Sequence, residues 1–173
     1  VSGNYLAGTR EDRLNDFHAM FWDDEVKAVF CTGGGYASIQ LLPDIDWSLI
    51  SKHPKIFMGY SDISTLLTAI TEKTGLITFH GPTVESGLSS DLGASRGKKF
   101  TLKSFKNTLM KGETGNLSGF TEWKVIKPGR AEGELVGGNL DVMLGLMGTP
   151  YEPKWDNKIL FWVIIILMLA LIA

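Results

Sequence analysis

Thiols are nearly absent from this chain. The lone cysteine, Cys31, cannot close an intramolecular disulfide, so the fold does not depend on an oxidising compartment, and a cytoplasmic location is the expectation. Histidine is scarce as well. His18, His53 and His80 stand far apart, and with one cysteine they make no zinc spacing, so no metal is expected. Charge of a single sign is also lacking: Lys and Arg total 17 against 19 Asp and Glu, a formal net charge of -2, with no long run of either. Such a surface carries no electrostatic footprint for nucleic acid. An apolar stretch of full membrane-spanning length is missing too. Residues 159–173 are unbroken apolar sequence, whereas a spanning helix needs about 20 such residues and about 17 at the least. Three readings of this run stand: a buried strand continuing into altered sequence, a tail anchor, and a buried helix. The first is favoured, so membrane attachment is not the leading expectation, and a signal peptide is excluded by position. The chain also starts at Val1 rather than a methionine and reaches a helix-start signal with no strand before it, which predicts further sequence upstream.

What is present is ordinary globular composition, 173 residues with 44% hydrophobic and 21% charged side chains. Thr9 followed by Asp12 resembles a capping box. Leu14, Phe17, His18 and Phe21 then recur at helical spacing, predicting an amphipathic helix over residues 10–22. A short strand, Ala28 to Cys31, runs into Gly33, Gly34 and Gly35, and a helical stretch follows from Tyr36 to Leu42. A second unit repeats the order, with a strand at Ile56 to Met58, a sharp turn at Gly59 to Asp62 and a helix at Ile63 to Thr74. Ile77 to Phe79 reads as a third strand. Strands alternating with helices predict a doubly wound α/β domain on a mostly parallel sheet.

From Glu85 to Lys99 the composition shifts to Ser, Gly, Asp and Lys without apolar periodicity, the pattern of a loop. The expected division is therefore an N-terminal α/β domain at 1–84, a connecting segment at 85–130, and the start of a second α/β domain at 131–173. Beyond the loop, Leu102 to Met110 reads as a short helix, while Leu117 to Phe120, Trp123 to Lys127 and Glu134 to Val136 read as strands. Asn139 can cap a helix to Leu146, which Gly148 and Pro150 end.

Ser61 is the residue best placed for chemistry. A turn between an apolar strand and a helix lifts a hydroxyl out of the carboxyl edge of the sheet, where open α/β sheets bind ligands. The helix N-terminus behind it offers free N–H groups and partial positive charge to a developing oxyanion. Two readings stay open at this point: Ser61 is a nucleophile, or it is a plain N-cap. Asp62 has the same duality, through its backbone N–H or through its carboxylate at a helix start. Glycines 33 to 35 either bring backbone N–H groups to a ligand or merely make a tight turn, and they do not match the dinucleotide fingerprint. Cys31 reads as a small buried residue. His80 reads more readily as a satisfied structural histidine than as a base.

Taken in order, the stretches Tyr5 to Thr9, Phe30 to Tyr36, Gly59 to Ile63, Thr78 to Pro82, Gly133 to Leu140 and Gly148 to Tyr151 resemble the LD-carboxypeptidases, or muramoyltetrapeptide carboxypeptidases, whose relatives include the microcin-immunity peptidases. The resemblance implies a Ser, His, Glu triad without any cofactor. It would hydrolyse the amide between an L- and a D-amino acid in peptidoglycan-derived tetrapeptides, releasing terminal D-alanine in the cytoplasm. Ser61 would be the catalytic nucleophile; Asp62, Gly35 and Gly34 would form the oxyanion hole; Tyr60, Tyr36 and Asn139 would bind substrate. The partner implied is a muropeptide or similar small peptide, with a homodimer as an open alternative. Two departures accompany the match. Gly33 stands where the family usually carries an Arg or similar residue, and Val163 stands where it carries its glutamate, with the histidine placed beyond Ala173. The expectation that follows is a truncated or frame-altered product whose apolar end promotes aggregation.

Overall fold

The computed structural model describes residues 6–85, 87–88, 96–113 and 124–163. Helix α1 (Arg10–Trp22) starts at the capping box expected of it: the Thr9 side chain accepts from the Asp12 N–H at 3.1 Å, and the Thr9 N–H donates to the Asp12 carboxylate at 3.0 Å. Strands β1 (Ala28–Phe30), β2 (Ile56–Gly59) and β3 (Phe79–His80) form a parallel sheet in that order. In its register Ala28 lies opposite Ile56 and Gly59 opposite His80. A 3-10 helix over Ser38–Asp44 and helix α2 (Trp47–Lys52) connect β1 to β2, and helix α3 (Ser64–Thr74) connects β2 to β3. Parallel strands joined through helices are the α/β architecture that the alternating pattern predicts.

Helix α3 sits at the centre, with every residue from Ser64 to Ile70 buried. Phe21 from α1, Leu42, Ile50 from α2, Phe57 from β2 and Ile70 from α3 are each at most 2% exposed and share one apolar cluster. Each such side chain contributes about 1.5–3 kcal/mol by burial. A second parallel pair, β4 (Glu134–Asn139) and β5 (Lys158–Val163), is aligned with Glu134 opposite Lys158 and Asn139 opposite Val163. It is attached to the same core: α5 (Leu140–Met143) and the 3-10 turn Leu144–Leu146 contribute the buried Met143 and Leu146 to that cluster.

Several sequence expectations shift. The third strand begins at Phe79 rather than Ile77 because threonine hydroxyls capture the residues before it: Thr71 Oγ1 donates to the Leu76 carbonyl at 3.0 Å and Thr78 Oγ1 to the Leu67 carbonyl at 3.1 Å. The expected helix Tyr36–Leu42 is a 3-10 helix displaced to 38–44, with Pro43 inside it. The expected loop 85–99 gives way at its end to α4 (Arg96–Phe105), which continues as a π-helical turn, Lys106–Met110. Periodicity was the wrong criterion there. Lys and Arg are good helix formers, and α4 is held at its far end by Phe105, whose ring lies 5.5 Å from that of Phe30. Residues 124–127 are irregular, with Ile126 94% exposed, since β-branched residues without a neighbouring strand have nothing to pair with. The expected strand at 117–120, Trp123, most of the loop tip and residues 164–173 of the apolar run lie outside the described residues. The described start of that run, 159–163, is strand. No helix among the described residues is long and apolar enough to cross a membrane.

Candidate active site

The apolar strand β2 ends at Gly59, and the chain then reverses within a few residues. A Cβ on Gly59 would lie 2.7 Å from Ile63 Cγ2, so only glycine lets the turn fold this tightly onto the 3-10 segment Ser61–Ile63. Tyr60 is extended, and Ser61 has a φ of 60°. A serine in that left-handed region costs about 1–3 kcal/mol, a strain typical of functional turns. Ser61 is not an N-cap: the cap positions are Tyr60 for the 3-10 turn and Ile63 for α3, and neither helix start has a side-chain cap bond. Ser61 is half-buried.

The glycine turn after β1 comes down onto this hydroxyl. A Cβ on Gly34 would meet Ser61 Oγ at 3.2 Å and the Asp62 backbone nitrogen at 3.8 Å. Gly35, at a φ of 149°, backs onto the Asp62 carboxylate at 3.7 Å from its Cβ position. The structure thus brings Gly34, Gly35, Ser61 and Asp62 together, four residues that the sequence separates into two turns. The Asp62 carboxylate does not cap its own helix start. Its buried Oδ2 reaches across instead and accepts from the Ala37 N–H, the Ser38 N–H and the Ser38 hydroxyl. Gly33 lies against Glu85, whose Oε2 would be 2.9 Å from a Cβ there.

The remaining candidates sit around this centre. Tyr36 is 72% exposed and, with Ile39, Asp62, Thr65, Asp141, Val142 and Gly145, lines a cavity of about 190 Å³. Tyr60 is half-buried with its ring 6.4 Å from His80 in an edge-on arrangement. Asn139 is buried, and its side chain caps α5 by accepting from the Val142 N–H at 3.3 Å. Its own N–H donates to Ser64 Oγ at 3.0 Å. Gly138 permits this docking, since a Cβ there would stand 2.6 Å from Ser64 Oγ. Ser38 and Ser64, which tie the site together, were missed by sequence reasoning, because a serine in a helical stretch gives no signal of a partner dozens of residues away.

His80 departs from expectation in one respect. Its ring is wedged between Tyr60 and Phe161, the latter 5.2 Å away edge-on, yet among the described residues its buried Nε2 has no hydrogen-bond partner. Burial holds its pKa below the ordinary histidine value. Cys31 lies just past the end of β1 and is half-buried, not the fully buried strand residue expected; burial still pushes its thiol up to about 12, so it stays protonated. Val163 ends β5 beside Asn139, and its aliphatic side chain cannot orient an imidazole. Among the described residues no group of three His, Cys, Asp or Glu could hold a metal.

Two family models match in order along the chain: the LD-carboxypeptidase N-terminal domain over residues 1–81 and the LD-carboxypeptidase C-terminal domain over residues 132–162. The chain belongs to the LD-carboxypeptidase family. The strained serine, the glycine turn against it and the Asn139 turn all fall within those two matched regions. Among curated relatives, a probable murein peptide carboxypeptidase of Bacillus subtilis is 50% identical over 160 residues, covering 91% of this chain and 48% of that protein. The murein tetrapeptide carboxypeptidase of Pseudomonas aeruginosa is 40% identical over 154 residues, covering 84% and 47%. The crystal structure of a muramoyltetrapeptide carboxypeptidase from Oxalobacter formigenes superposes with a TM-score of 0.79 at 31% identity, covering 94% of this chain and 53% of that one. This LD-carboxypeptidase chain therefore spans about half the length of the curated relatives it matches.

Proposed function

We propose that this chain carries the nucleophile half of a serine LD-carboxypeptidase that releases terminal D-alanine from peptidoglycan-derived tetrapeptides by cleaving an L,D-amide bond. The observation that carries the reading is Ser61 at a φ of 60° with Gly34 closed against its hydroxyl. Ser61 Oγ attacks the scissile carbonyl, and the backbone N–H groups of Gly34, Gly35 and Asp62 stabilise the oxyanion. The hydroxyl proton passes to the family's histidine, which the resemblance places beyond Ala173. Tyr60, Tyr36 and Asn139 hold the peptide, without a cofactor. The substrate class puts the reaction in cytoplasmic recycling of peptidoglycan, and the division at 1–84, 85–130 and 131–173 belongs to the same proposal.

In a protein that carries this chain together with the family's histidine, release of D-alanine from a murein tetrapeptide, lost in Ser61→Ala, is the expected result. Together with covalent labelling of Ser61 by a fluorophosphonate, it would support the proposal. A second reading is favoured by Val163, which supplies no carboxylate at the glutamate position: the chain binds muropeptide-like ligands without turning them over. Saturable peptide binding that survives Ser61→Ala, with no turnover in either form, would decide for that reading.

A further inference from the structure

We propose that the Asp62 carboxylate is a positioning residue that sets the glycine turn against Ser61, an assignment that rests on the reading of Ser61 as the nucleophile. The segment Gly33 to Ala37 has little means of fixing its own path. Three of its residues are glycines, and Ala37, at the N-cap of the 3-10 helix, has no side-chain acceptor for the first amides of that helix. Asp62 supplies the acceptor from 24 and 25 residues away. A single oxygen, Oδ2, takes the Ala37 N–H at 2.9 Å, the Ser38 N–H at 2.9 Å and the Ser38 hydroxyl at 2.7 Å, all buried.

The carbonyl side of the same segment is held from α1. The Arg13 guanidinium donates to the Ala37 carbonyl at 3.0 Å and to Gln40 Oε1 at 2.9 Å, and Arg10 Nε donates to the Gln40 carbonyl at 2.9 Å. Ala37 is therefore gripped at both its N–H and its C=O, one by the residue after the nucleophile and the other by the helix packed outside. Because Asp62 follows Ser61 directly, its carboxylate couples the position of the hydroxyl to that of Gly34. Sliding one turn relative to the other breaks three bonds to a buried anion, which an ordinary loop contact would not resist. The carboxylate thus fixes the distance between the glycine amides and Ser61 Oγ, the quantity on which oxyanion stabilisation depends.

The full chain tests this with two measurements: hydrogen exchange resolved to residues 34–38, and the rate at which a small fluorophosphonate labels Ser61. In labelling, the Oγ–P bond forms, the P–F bond breaks, and fluoride and the hydroxyl proton leave to solvent. Asp62→Ala is expected to raise exchange at 34–38 by about tenfold or more while the amides of α3 keep their protection. Labelling is expected to fall about tenfold. Asp62→Asn keeps an acceptor oxygen in place and restores most of both. Ser38→Ala deletes only the 2.7 Å bond and should give a weaker version of the same pattern, which decides the matter if Asp62→Ala fails to fold. A carboxylate that merely stabilises the core would raise exchange along the whole chain, α3 included. That result, or unchanged exchange at 34–38 in both Asp62→Ala and Ser38→Ala, overturns the proposal. Absence of any Ser61 label in the wild-type chain sinks the nucleophile reading instead, and exchange at 34–38 then decides alone whether Asp62 holds the turn.

Discussion

Gly34→Ala tests the contact that defines the site. The added Cβ would stand 3.1 Å from Ser61 Cβ and 3.2 Å from Oγ, whereas carbon contacts settle near 3.5–4.0 Å, so relief takes a shift of about half an ångström. The atoms in the way belong to a short side chain at a strained φ, so the serine moves more readily than the sheet beneath it. Overpacking of this kind costs about 1 kcal/mol, which for a chain of this size lowers Tm by about 2–4 °C. Reactivity should suffer more. A displacement of 1 Å at a reacting group costs about a hundredfold, and half of that about tenfold. The assay is the rate of Ser61 labelling by a fluorophosphonate, followed by intact mass, beside a thermal melt. Gly129→Ala serves as the control, since a Cβ there meets nothing within 4 Å. Labelling at the wild-type rate with an unchanged Tm would refute the close approach of the two turns. A loss of stability far beyond a few degrees would show that the backbone, not the serine, absorbs the clash.

Other outcomes follow from the same geometry. Phe57→Ala removes a ring 2% exposed that lies 5.8 Å from Phe17 and 6.1 Å from Phe21, and should cost about 3–5 kcal/mol by denaturant unfolding; a loss under about 1 kcal/mol would contradict the packing. Gly59→Ala puts a Cβ 2.7 Å from Ile63 Cγ2 in the buried turn and should destabilise by about 1–3 kcal/mol, more than Gly34→Ala, as compared by chemical denaturation. His80 is buried with a pKa held below its ordinary 6.5, so the unfolded chain binds more protons there and stability rises with pH. Melts are expected to worsen as pH falls below about 6.5, toward the depressed folded value, and His80→Phe should flatten that slope; an identical slope in the variant would place the proton uptake elsewhere. Ser64→Ala deprives the Asn139 N–H of its buried acceptor and should cost about 1–3 kcal/mol; a neutral result would mean that β4 does not dock on α3 through this bond.

Sequence alone determined the local structure wherever a side chain acts on its own neighbourhood. The capping box of Thr9 and Asp12, the periodic apolar face of α1, the Asn139 cap and the turn at Gly59 to Asp62 are all written within a few residues, and they fixed the α/β class and singled out Ser61. The order of motifs carried the family. Where partners come from far along the chain, local pattern was silent. Nothing near Asp62 reveals that its carboxylate caps a 3-10 helix 24 residues earlier, and nothing near Phe105 shows that it pins a lysine-rich helix to Phe30. Gly34 illustrates the divide. Its neighbours announce only a turn, while the requirement for glycine at that position comes from Ser61, which tertiary packing sets 3.2 Å from where a Cβ would stand. Propensity and capping act over a single turn of chain, whereas burial, shared acceptors and close approach depend on which surfaces the fold brings together.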